Sequence, residues 1–130
     1  MIHPNSFSKA EHLCGDKRIS HLFTEGEAFI CYPVRVVFIV ESKADDVTAS
    51  VMVSVPKKRF KRAVKRNQIK RMMREAYRLN KQILVQKLDE KGLQMHLAFN
   101  YVADEKLVFF VFEKKMKLSL QKLIAKIETI

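Results

Sequence analysis

The sequence predicts an α+β domain, a two-layer sandwich in which a small, mostly antiparallel sheet lies against helices in the order α-β-β(-β)-α-β-α. Three observations predict it. Residues 29–40 and 47–55 are β-branched and aromatic runs bounded by turn-forming residues. Residues 60–90 contain no Gly or Pro, and their apolar positions recur at spacings of three and four. A third alternating run, 93–101, is followed by an apolar stripe of helical period reaching the C-terminus.

The elements follow in order. Residues 1–6 read as a loose leader. Ser8 and Glu11 have the spacing of a capping box. Residues 16–24 form the first helix, with Ile19, Leu22 and Phe23 on one stripe and Gly26 ending it. Residues 29–40 read as one strand with Pro33 at its entry, and 41–46 as a polar turn. In residues 47–55, Val47, Ala49, Val51, Val53 and Val55 alternate with Thr48, Ser50, Met52 and Ser54. Such a strand has one apolar and one mixed face, as in a sheet covered by helices on one side. Pro56 stops it, and 57–61 is a basic loop.

The long helix carries Ile69, Met72, Met73, Ala76, Asn80, Ile83 and Leu84 on its inner stripe. At about 100° per residue, Asn67, Lys70, Arg71, Arg74, Arg78 and Lys81 fall on the opposite face. Residues 87–92 end the helix, with Gly92 as its cap. Residues 93–101 form the next strand, and 103–106 a connector. Residues 109–130 form the last helix, burying Phe112, Met116, Leu120, Leu123 and Ile127.

At 130 residues and 48% hydrophobic content, this is a single folded domain rather than a disordered basic tail. The charge is concentrated. Residues 57–81 hold twelve cations and one acid, a net +11 equal to that of the whole chain, so the remainder is neutral. A general solubility device would be spread out. This is an electrostatic footprint for a polyanion, with nucleic acid the default partner.

Other chemistries find little support. Cys14 and Cys31 form no CxxC pair or disulfide framework and read as packed, reduced thiols of a cytoplasmic protein. His3, His12, His21 and His96 lack metal-ligand spacing with either cysteine, and His96 reads as a sheet-face histidine. The acids are scattered singly or as turn doublets, unlike the grouped carboxylates of a metal-dependent nuclease. Three widely spaced glycines exclude a Gly-rich phosphate loop. No apolar run approaches a membrane span. The expectation from these residues is a binder of nucleic acid, with no membrane partner and no catalytic residue in the chain.

The residues also carry a resemblance. The run S-V-P-K-K-R-F-K-R-A-V-K-R-N-Q-I-K-R-M-M-R-E-A-Y-R resembles the signature of the protein subunit of bacterial ribonuclease P. D-K-R-I-S-H-L-F-T-E-G resembles that family's first helix, and Y-P-V-R-V-V-F its first strand. The resemblance implies a left-handed β-α-β crossover around the basic helix. It implies a catalytic RNA partner that removes the 5′ leader of precursor tRNA with Mg²⁺ held mainly by the RNA. The protein would be a monomer in a 1:1 complex with that RNA, with RNA and not DNA as its partner.

By position, Arg66, Asn67, Lys70, Arg71 and Arg74 would face the catalytic RNA near its metal sites, with Asn67 near an RNA-bound Mg²⁺. Lys57, Lys58, Arg59, Lys61, Arg62, Gln68 and Arg78 extend that surface, Gln68 standing where the family has an arginine. Phe23 would line a cleft for the leader strand, as would Phe38, or Val37 if the register is one residue off. Ile19 takes the place of a first cleft aromatic. The alternative function is a general RNA-binding protein of ribosomal type without a role in cleavage. A self-sufficient nuclease is the third class.

Overall fold

The structure, a computed structural model, describes Phe7 and residues 11–130. The leader at 1–6 and the Ser8 cap lie outside the described residues. The chain runs α1 (Asp16–Glu25), β1 (Glu27–Cys31), β2 (Val34–Ser42), β3 (Ala49–Ser54), α2 (Ala63–Asn80), α3 (Gln82–Glu90), β4 (Leu93–Tyr101) and α4 (Phe109–Glu128). The sheet order is β1-β2-β4-β3. The β1–β2 and β2–β4 pairs are antiparallel, and β3–β4 is parallel. A parallel pair requires a crossover, and α2 with α3 supplies it.

The run expected as one strand is a hairpin. Cys31 pairs with Val34 across a two-residue turn at Tyr32 and Pro33, whose peptide bond is cis. Pro33 has no N–H to give a ladder, so the chain turns there instead of entering a strand. The turn also exchanges the parity of the two faces. Phe29 and Cys31 on β1 share a side with Val34, Val36 and Phe38 on β2.

The long helix is likewise divided, at Lys81. The Asn80 side chain donates to the Ala76 carbonyl at 2.8 Å and so competes with the main-chain ladder just before the break. Ile83, expected on the inner stripe, is exposed as a result of the new helix axis. Before the helix, the amides of Arg59 and Phe60 both donate to the Pro56 carbonyl, making a tight turn of the basic loop.

One core lies between the sheet and the layer of α2, α3 and α4. It includes Val36, Phe38, Val51, Ile69, Met73, Tyr77, Leu97, Phe99, Phe112 and Leu123. A smaller cluster on the sheet's other face holds Leu13, Leu22, Val37 and Ala98, with Ile19, Ile39 and Met52 against it. Helix α1 therefore shields part of the face that the sequence left mixed, and the rest stays open. Gly26, after α1, donates its amide to the Leu22 carbonyl at 2.9 Å. Both cysteines are free. Cys31 is buried and donates to the Lys115 carbonyl, whereas Cys14 is exposed rather than packed.

Candidate nucleic-acid interface

Helix α2 buries Ile69, Met72, Met73, Ala76 and Tyr77. With that stripe fixed on the core, Asn67, Arg71, Arg74 and Arg78 project from the other side, within about 60° of one another by helical period. Asn67, Gln68, Arg71 and Arg74 are exposed, and Lys70 and Arg78 half-buried. In the approach to the helix Lys57, Lys58, Arg59, Lys61 and Arg62 are all exposed, as is Lys65 in its first turn. The stripe and the loop thus form one continuous cationic rim along the chain.

The cations are not equivalent. Lys57, Lys58, Lys61, Arg62, Lys65, Lys70, Arg71 and Arg74 make no ion pair with any described residue. Arg59 pairs with Asp104. Arg78 donates to Glu75 at 2.5 Å, and that hydrogen bond holds the Glu75 carboxyl below its usual range. Arg66 turns back: its Nη1 donates to the carbonyls of Phe60 and Lys61, both at 2.9 Å. It therefore organises the loop that presents the lysines. Lys81, expected on the outward face, is 5% exposed and paired with Glu11. The charge pattern gave no hint of this, because its partner is 70 residues away.

The sheet face beside α1 is the second part of the site. Phe23 is 43% exposed there, and Ile19 packs half-buried on the Leu22 cluster. Phe38 does not join them. It is 2% exposed and faces the other layer, its ring 6.0 Å from that of Phe29. Strand alternation puts Val37, not Phe38, on the α1 side, and Val37 is itself buried. The open part of this face is the row Ile30, Arg35, Asn100 and Ser54, set side by side across four strands. Ile30 and Arg35 are exposed, and Ser54 donates to Asn100 at 2.7 Å. Sequence reasoning missed this row, although alternation on β3 and β4 signalled its polar half.

At the α1 end, His21 Nε2 lies 3.0 Å from Glu41 Oε1, and His96 Nε2 lies 3.9 Å from Glu41 Oε2. Burial pushes the His96 imidazole down, partly opposed by Glu41, so its neutral form is favoured. Among the described residues no group of three or more His, Cys, Asp or Glu is placed to hold a metal ion. No described helix is long and apolar enough to cross a membrane.

An uncompensated cationic rim on a rigid helix, next to a half-open sheet face with an exposed aromatic, defines the class as a polyanion-binding α+β domain. Known proteins narrow it. The ribonuclease P family model matches residues 7–127. The ribonuclease P protein component of Porphyromonas gingivalis is 46% identical over 122 residues, covering 92% of this chain and 89% of that protein. The component from Chlorobium phaeobacteroides is 32% identical over 113 residues, covering 81% and 77%. In fold, the chain is similar to the ribonuclease P protein of Thermotoga maritima, with a TM-score of 0.67 at 20% identity and coverage of 86% and 96%. The protein of Staphylococcus aureus gives a TM-score of 0.65 at 19% identity, covering 92% and 98%. The chain belongs to the ribonuclease P protein family.

Proposed function

We propose that this chain is the protein subunit of a cytoplasmic ribonuclease P. It binds the catalytic RNA and the 5′ leader of precursor tRNA, one protein per RNA, and supports endonucleolytic release of the mature 5′ end. The observation that carries the reading is the outward set Asn67, Arg71 and Arg74 on α2, continuous with the unpaired lysines of the loop. The arginines and lysines of this set neutralise phosphates where RNA strands come close together. Mg²⁺, bound mainly by the RNA, supplies the activated water and charge stabilisation. The chain lowers the repulsion that otherwise limits metal occupancy. The exposed amide of Asn67 can hydrogen-bond to water held by such an ion. Phe23 and the row from Ile30 to Ser54 offer the leader a half-apolar floor.

Reconstitution tests this. Purified chain, a ribonuclease P RNA and precursor tRNA are combined across a Mg²⁺ series. Cleavage at low Mg²⁺ is expected only with both macromolecules present. Cleavage by the chain alone would overturn the assignment of chemistry to the RNA. RNA binding that leaves the Mg²⁺ requirement unchanged would point instead to a general RNA-binding protein.

A further inference from the structure

We infer that α4 carries a second RNA contact, a stacking platform for an unpaired nucleobase centred on Phe110. The inner side of this helix is fully used: Phe112, Met116, Leu123 and Ile127 are each 0% exposed. Its outer side should then be polar. Instead Phe110 is 65% exposed, with Val111 at 40% next to it and Leu118 at 45% about two turns further along. Lys114 places its ammonium 4.6 Å from the Phe110 ring centroid, and Lys117 is exposed on the same side.

The chemistry of the patch selects its occupant. Protein interface cores are depleted of lysine, whereas sites for single-stranded nucleic acid interleave cations with open aromatic faces. The acids nearby are engaged. Glu113 accepts from Asn80 at 3.0 Å, and Asp104 is bound by Arg59. Glu105 is exposed but has Lys106 next to it. The outward face therefore stays positive.

Position supports the same occupant. The Phe60 ring of the basic loop lies 5.9 Å from Tyr101, and Tyr101 stacks on Phe112 of α4 at 6.2 Å. With the Arg59–Asp104 pair, these contacts fix the start of α4 against the loop. A strand whose phosphates follow the loop is thereby led toward the start of α4, where Phe110 stands on the outer side, opposite the buried Phe112. This inference rests on the reading of the chain as an RNA binder, and its test separates the two.

The chain contains no tryptophan, so Phe110→Trp introduces a single indole reporter. Oligoadenylate is added to this variant, and binding is followed in parallel by anisotropy of the labelled oligonucleotide. Stacking should quench the indole, and should still do so at saturation when Arg71→Ala is combined with it. Phe110→Ala should weaken oligoadenylate binding about tenfold, within the range for one stacked base. Anisotropy showing binding without quenching, or unchanged affinity in Phe110→Ala, would overturn the platform and leave the α2 interface standing. No binding of oligoadenylate to the unsubstituted chain would likewise overturn the platform, whereas the α2 interface falls only if the chain also fails to bind a ribonuclease P RNA. A dimer that Phe110→Ala dissociates, seen by sedimentation, would assign the patch to a second copy of the chain instead.

Discussion

Glu11 and Lys81 form an ion pair that fastens the N-terminal segment to the break between α2 and α3. Both side chains are largely buried, at 17% and 6% exposure. Lys81 also lies 5.6 Å from the ring of Phe7, which stacks on His12. The basic helix is thus held at its C-terminal end by residues far from it in sequence. Glu11→Ala leaves the Lys81 ammonium in a dry site with less compensation, and the cost should be about 2–4 kcal/mol in urea unfolding. Glu11→Gln should recover part of that by keeping a hydrogen-bond acceptor. Equal stability of Glu11→Ala and the parent chain would mean that the pair does not hold the segment.

Gly26 sets the closeness of α1 to the sheet. A Cβ there would collide with the Leu22 carbonyl and come within 2.9 Å of the Phe38 carbonyl, both rigid backbone. Gly26→Ala should therefore push α1 outward and cost roughly 1–3 kcal/mol. The shift would also move Phe23, so leader affinity should fall while affinity for the catalytic RNA alone stays within about twofold. Gly92→Ala makes a useful contrast. Gly92 has open space around it but φ +66, so its cost of about 1 kcal/mol comes from backbone strain and should leave leader binding alone.

The legible parts of the molecule were those whose cause is local. The period of three and four gave Ile69, Met72, Met73 and Ala76 as the buried side of α2, and so aimed Asn67, Arg71 and Arg74 outward. Alternation gave both faces of β3. Contacts between distant segments stayed hidden. Tyr77 sits at the flank of the stripe and is buried where Phe7 leans on it at 5.6 Å. Lys81 read as one more outward cation because Glu11 was out of view. Phe38 was misplaced for a geometric reason. Alternation divides a strand into two sets but does not say which set meets the helices, and the turn at Pro33 reversed the parity between Phe29 and Phe38.

Acid should loosen the fold through two histidines. Burial lowers the affinity of both His12 and His96 for a proton, with Arg74 adding to the effect at His12. A histidine held below its ordinary value of 6.5 favours the neutral folded state. Below that pH the unfolded chain gains the proton first, so stability falls as pH drops through 6.5 toward the folded value. Unfolding measured from about pH 7.5 down to about pH 5, a window that spans the ordinary histidine value of about 6.5, should show that decline. In His96→Gln the decline should be shallower. A curve that His96→Gln leaves unaltered would show that His96 does not contribute to it.

Arg66 and Arg71 sit on the same helix and should fail in different ways. Arg71 is exposed and makes no ion pair with the described residues. Removing it should leave stability within about 0.5 kcal/mol. It should weaken RNA binding and shallow the slope of log affinity against log salt by about 0.7–0.9, the share of one phosphate contact. Arg66 instead bridges the Phe60 and Lys61 carbonyls. Arg66→Ala should cost about 1–2 kcal/mol of stability by leaving two carbonyls without their charged donor. Its effect on RNA binding should exceed that of Arg71→Ala, because the whole lysine loop loses its anchor. Arg66→Lys restores the charge but not the planar donor and should recover little. Recovery of RNA affinity by lysine at position 66 would show that the residue acts as a charge and not as the loop's scaffold.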